Sequence, residues 1–327
     1  MPASLLAARR CGRLVREGSA RYHLLDMAGA ESLLRKALVE AERSGRQRAI
    51  ARAAQSLYYL LRRQGRHAES ARALERKVEA LRRAEGADGP WTAEWRNELI
   101  CLYGRLGRRG DLEAVCRERL ESDVRHWGAR SLEAAWALVT LAWALREAGR
   151  WEESEALSRQ ALAVIGSISG EDHPRTGWAL AGLAVARERQ GDLAGAEAAL
   201  RTARAAWERV GHADRVAAVD ELLIDLYVGQ GRHDEAHALS CAWFQGRVCT
   251  TDERRLPRVE RHAALLAAMD RADQAAAWEA TARELRAAIE RRRRECERMA
   301  ADAPETPCAA SCVTARLTGP VFPSPLL

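Results

Sequence analysis

The sequence predicts an all-α protein, a solenoid of antiparallel helical hairpins, and three observations carry that prediction. First, Gly65, Gly107, Gly149 and Gly191 stand 42 residues apart, Gly231 follows after 40, and Asp270 holds the same place after 39 more. Second, Gly45, Gly86, Gly128, Gly170 and Gly211 form another ladder about half a period out of step. Two turns per period mean two helices per repeat, each pair unable to bury its apolar face until a neighbour stacks on it. Third, the chain is 47% hydrophobic and 30% charged with only 5% aromatic residues, which suits long amphipathic helices better than sheets.

The first hairpin is the least regular. Tyr22, Leu24 and Leu25 lead to a turn near Asp26, and the helical pattern resumes at Ala30. Arg9, Arg10, Arg13 and Arg16 precede the first acid, Glu17, as in an organellar transit peptide. Leu5, Leu6, Leu14 and Val15 favour an ordinary amphipathic helix of the first hairpin over that reading.

From the second repeat onward the pattern sharpens. Eight residues before each turn glycine stand Leu57, Leu99, Leu141, Leu183 and Leu223, a column expected to form the core of the stack. Four residues before the glycine come Leu61, Tyr103, Leu145, Arg187 and Tyr227, with Arg187 read as a packed stem whose head reaches solvent. The second helices open alike, as in Gly65-Arg66-His67-Ala68-Glu69-Ser70 and Gly149-Arg150-Trp151-Glu152-Glu153-Ser154. The glycine ends one helix in a left-handed conformation, and the acids favour the next helix's N-terminus. Gly107-Arg108-Arg109-Gly110 reads as a turn with two extra residues. At the return turns, Pro90 and Pro174 suit the first helical position, and Ser131 and Asp214 suit N-caps.

Gly170-Glu171-Asp172-His173-Pro174, followed by Leu180, Leu183-Ala184, Gly191 and Ala196-Glu197-Ala198-Ala199-Leu200, resembles the tetratricopeptide repeat in its 42-residue, kinesin-light-chain-like form. The resemblance runs from about Ala8 to Glu290. It implies a right-handed superhelical solenoid of six to seven hairpins, placed here at residues 1–298, and a role in binding proteins. The repeat ending at Asp270 departs, with His262 where leucine belongs, as a capping hairpin would. The heptad region by which kinesin light chains join their heavy chain has no counterpart here, so motor transport is not implied. Beyond residue 298 five prolines end the pattern, and 299–327 is expected to be a disordered tail.

Only Lys36 and Lys77 are lysine among 52 basic residues, and the arginines mostly alternate with acids at helical spacing. With a net charge of only +6, this mixed surface argues against nucleic acid. No apolar run reaches the roughly 20 residues that span a bilayer. Eight scattered cysteines without a Cys-x-x-Cys pair indicate a reducing, cytoplasmic location, and Cys308 and Cys312 lack the companions a zinc site needs.

No phosphate-cradling loop or nucleophile constellation is present, so neither catalysis nor a cofactor is expected. His233 and His237 lie one helical turn apart, but the metalloprotease pattern needs glutamate directly after the first histidine, and His67 fills the place of His233 in another repeat. A metal-dependent enzyme at this pair is therefore the weakest alternative, behind a peptide-sensing regulatory receptor.

The resemblance also implies where a partner binds. In tetratricopeptide arrays the first helix of each hairpin lines a concave groove, through positions about thirteen, ten, six, three and two before the turn glycine. Those offsets select Arg52, Gln55, Tyr59, Arg62 and Arg63, then Glu94, Asn97, Cys101 and Arg105. Next come Trp136, Val139, Trp143, Arg146 and Glu147, then Trp178, Val185, Glu188 and Arg189, and last Glu221 and Asp225. The tryptophans serve equally as groove wall or as core between hairpins. If they are groove, the expected ligand is an extended peptide with acidic residues followed by bulky apolar anchors.

Overall fold

The structure, a computed structural model, describes residues 3–24, 26–170, 173–245 and 252–302. Among these residues there are fourteen α-helices and no strand. The chain divides into two compact units at Arg150 and Trp151. In the first unit the helices are α1 (Ala3–His23), α2 (Met27–Ser44), α3 (Gln47–Arg63), α4 (His67–Glu85), α5 (Pro90–Leu106), α6 (Arg109–Trp127) and α7 (Leu132–Glu147). The second holds α8 (Trp151–Ser169), α9 (Pro174–Arg189), α10 (Leu193–Arg209), α11 (Ala213–Gly229), α12 (His233–Gln245), α13 (Asp252–Ala268) and α14 (Ala272–Asp302). Within each unit, helices adjacent in sequence pack on one another, as the repeat demands. Helix α14 runs on to Asp302, past the expected boundary at 298, and the rest of the predicted tail, with Cys308 and Cys312, lies outside the described residues.

The turn chemistry explains the helix ends. Every glycine of both ladders has positive φ, and Asp270 is the one non-glycine among the described residues to share it, at φ 57. Aspartate tolerates this region better than branched residues do, so the ladder survives the substitution. Pro90 and Pro174 open α5 and α9, and the Ser131 hydroxyl accepts from the Ala134 N–H. Two expectations are corrected. Helix α6 starts at Arg109, directly after Gly107-Arg108, so Gly110 sits within its first turn and the supposed extra turn residues are helical. Asp214 likewise lies inside the first turn of α11, whose N-cap is His212.

The leucine column is the core. Leu57, Leu99, Leu141, Leu183 and Leu223 are all between 2% and 5% exposed, and His262 continues the column in α13 at 2%. One helical turn on, Leu61, Tyr103, Leu145 and Tyr227 are buried too.

Successive hairpins are also clipped together by charge. The arginine after the turn glycine reaches back to a glutamate of the preceding second helix: Arg66 to Glu31 at 2.6 Å, Arg108 to Glu75 at 2.5 Å, Arg150 to Glu113 at 2.6 Å and Arg232 to Glu197 at 2.6 Å. In the repeat where Asp192 replaces the turn arginine, Arg187 supplies the guanidinium instead, bonding Glu155 at 3.1 Å and the Gly195 carbonyl at 3.3 Å. The head of Arg187 is thus paired with protein, while its stem packs as expected.

Candidate functional site

Helix α3 shows how a repeat helix leaves a face for a partner. Ala51, Ala53, Ala54, Leu57, Tyr58, Leu60 and Leu61 are buried, whereas Arg52, Tyr59 and Arg63 are exposed. These three recur at seven and four residues, so they form one stripe along the helix. Tyr59 is 45% exposed, and the Arg63 guanidinium lies 5.1 Å from the centre of the Tyr22 ring. Arg62, beside the stripe, is committed to the wall: it donates to Glu98 Oε1 at 2.9 Å and to the Tyr58 hydroxyl at 3.0 Å. The Tyr58 hydroxyl also donates to Glu98, and burial, then that carboxylate, push the phenol well above its usual range.

Beneath the stripe lies a cluster the offsets did not reveal. Lys77 of α4 is only 4% exposed; its ammonium donates to Gln55 Oε1 at 2.6 Å and sits 3.2 Å from the centre of the Trp95 ring. Trp95 meets Tyr58 and Tyr59 edge-on, at 6.1 and 6.0 Å between ring centres. Burial pushes the Lys77 amine down to about 7, with Glu94 opposing. The sequence holds only a faint sign of this cluster: Lys77 is one of two lysines in the chain and falls on the buried face of α4, three residues after Leu74, while the Trp95 ring that defines the cluster belongs to another helix.

On α5, Glu94, Asn97 and Arg105 are exposed and Cys101 is half-buried, so the α3 stripe has a neighbour. Helix α7 differs. Trp136 is half-buried, Trp143 is 9% exposed, and Val139 and Arg146 are buried. The Trp143 ring lies over Gly104 of α5, where an added Cβ would stand 2.3 Å from its Cη2. The missing side chain lets the indole fill the space between the two helices. Burial also pushes the Arg146 guanidinium down to about 10. The open stripes of the first unit are therefore on α3 and α5.

In the second unit Trp178 is half-buried, edge-on to Trp207 at 5.5 Å, with the Arg215 guanidinium 4.2 Å from its ring centre. Arg189 is exposed, 5.8 Å from the centre of the Trp151 ring. Glu221 and Asp225, the last residues the offsets select, are engaged by arginines of α13. Glu221 is bonded by Arg258 at 2.8 Å, and Arg261 lies 3.4 Å from Glu221 and 3.3 Å from Asp225. The structure groups His237 with Cys241 and His262, and His233 is not in that group.

Paired helices of about 42 residues, joined at glycines of positive φ, define the class: an α-helical repeat protein of the solenoid type. Residues 133–209 match the family model described as Tetratricopeptide repeat. The BtubC (BKLC) protein of P. vanneervenii aligns with a TM-score of 0.59 and 20% identity, over 68% of this chain and 92% of that one. A putative kinesin light chain of Podosopora anserina with nearly identical TPR-like repeats gives 0.52 and 19%, over 60% and 95%. A tetratricopeptide repeat protein of Parabacteroides merdae gives 0.56 and 15%, over 85% and 93%. No curated protein matches the sequence. Among the described residues no helix is long and apolar enough to cross a membrane.

Proposed function

We propose that this chain is a non-catalytic scaffold for protein–protein interaction, and that its first unit takes an extended peptide along the exposed stripes of α3 and α5. The observation that carries the reading is the row Arg52, Tyr59 and Arg63. A helix whose opposite face is buried leaves an aromatic ring half open between two exposed guanidinium groups. Such a row suits acidic residues of a peptide alternating with a bulky apolar one, the carboxylates held by charge-assisted bonds and the apolar side chain on the ring. Asn97 and Arg105 extend the row onto α5. Arg62 acts from the wall: its bond to Glu98 cancels charge and fixes Tyr58, and through it the bed on which Tyr59 and Trp95 lie. Trp136 offers a further apolar contact, while Trp143 and Arg146 support the face from below. Trp178 and Arg189 form a second, separate surface on the other unit. The free thiols of Cys11, Cys101, Cys116 and Cys241 fit a cytoplasmic setting.

The test is selection of peptides from a random display library on the full-length protein. Enriched sequences should carry acids next to a bulky apolar residue. Tyr59→Ala should weaken such a peptide by about 2 kcal/mol, as loss of a central aromatic contact does. Arg63→Glu should slow association and reduce its salt dependence. Selected peptides that bind both variants as tightly as the parent would place the partner surface elsewhere.

A further inference from the structure

Helices α12 and α13 bring three metal-binding side chains together. His237 and Cys241 stand one turn apart on α12, and with His262 of α13 their donor atoms all lie within 4.8 Å of one another. Cys241 Sγ is 3.5 Å from His237 Nε2 and 3.7 Å from Nδ1. The two imidazole rings stack at 5.2 Å and 21°, and Trp278 of α14 meets His262 edge-on at 4.6 Å.

His262 makes this group unusual for a repeat core. It stands in the leucine column, where packing asks only for an aliphatic side chain, and burying an imidazole there is unfavourable unless its nitrogens are satisfied. Ser240 Oγ lies 2.7 Å from His262 Nδ1, which gives the ligand role to Nε2. A neighbour holding the other ring nitrogen is how metal-bound histidines are oriented.

We propose that His237, Cys241 and His262 form a site for a divalent transition-metal ion of the zinc class, tying α12 to α13. Tetrahedral zinc with bonds of about 2.0–2.1 Å to nitrogen and about 2.3 Å to sulfur sets nitrogen and sulfur about 3.6 Å apart and two nitrogens about 3.4 Å apart. The Cys241–His237 pair stands at that separation already, and the His262 ring, stacked 5.2 Å from that of His237, offers a nitrogen within 4.8 Å of both other donors. Two imidazoles and a thiolate suit zinc, whereas magnesium and calcium require oxygen ligands. The fourth position is left for water or a group from a partner. His233 plays no part, so this site is distinct from the pair whose helical spacing attracts notice in the sequence.

The experiment is a titration of the chelator-treated full-length protein with Co²⁺, followed by displacement with Zn²⁺. One equivalent should produce a thiolate-to-cobalt charge-transfer band and the intense visible bands of tetrahedral cobalt, and Zn²⁺ should abolish both. Zn²⁺ should also raise the melting temperature, because it binds the folded state. Cys241→Ser should remove the charge-transfer band, and His237→Ala should weaken binding roughly 10-fold or more, since even residues behind the ligands have effects of that size. His237 is only half-buried, so its variant tests the site even if His262→Gln fails to fold. His233→Ala should bind as the parent does. Absence of the band, its survival in Cys241→Ser, or its loss in His233→Ala would overturn the assignment.

Discussion

The fit of Trp143 over Gly104 shows how one missing Cβ decides what a side chain does. A methyl at position 104 would stand 2.3 Å from the indole, with the helix backbone on one side and the ring on the other. Gly104→Ala should therefore destabilise the protein by about 1–3 kcal/mol in urea titrations, as overpacking does. The same change in a Trp143→Ala background should be nearly free, and the double-mutant cycle measures that coupling. The groove offsets implied by the resemblance placed Trp143 on the groove side but could not give its depth, which depends on Gly104 in another repeat. The leucine column was legible because leucine recurs at fixed distance from the turn, and all five positions are buried. Lys77 was not, since what makes it unusual is the Trp95 ring 3.2 Å away. Its amine falls from an ordinary 10.5 to about 7 in the fold. Between those values the unfolded chain holds more protons, so this residue makes stability rise with pH from about 7 to about 10. Lys77→Met should flatten that rise in denaturant midpoints measured at about pH 7 and about pH 9.5.

Between elements, the recurring contact is the arginine–glutamate clip. The Arg66 guanidinium holds Glu31 below the usual carboxylate range, and Arg232 does so for Glu197. A carboxylate whose folded pKa is depressed stabilises the protein above its unfolded value, near 4.5, and that contribution is lost as pH falls through the folded pKa. Melting temperature should thus hold from neutrality to about pH 5 and drop steeply below about pH 4, less steeply in a Glu31→Gln, Glu197→Gln variant. Thermal melts across that range check it. The Gly-Arg pairs stood in plain view in the sequence, but their partners lie 33 to 37 residues earlier, and short-range pattern carries no record of such a contact. Similarly, glycine after Arg109 looked like turn, and aspartate after Ala213 looked like a cap, because each residue type favours those places when local chemistry alone decides. In the fold each lies exposed in the first turn of its helix, α6 or α11.

For the molecule as a whole, a repeat is stabilised mainly by the repeats beside it, so a cavity in one hairpin is felt by its neighbours. Leu141→Ala, in the middle of the leucine column, should cost about 2–5 kcal/mol by equilibrium unfolding. The repeat count and helix order were legible because period and turn chemistry agree. The division at Arg150 was not, since the ladder runs through it without a change of spacing. The clip at Glu155 bears on how such arrays diversify. Its cation comes from four residues before the turn glycine, where the other clips draw theirs from one residue after it. What is inherited from repeat to repeat is then a location in space, and the residue that fills it is free to migrate along the chain. Arg187→Leu should loosen this joint, and adding Asp192→Arg should restore part of it, less about 1 kcal/mol for the lost cap on the Gly195 N–H. Anyone grafting hairpins between such proteins must therefore carry over both ends of each clip, because a repeat cut at its glycine can leave behind a glutamate whose counter-charge was never in the expected column.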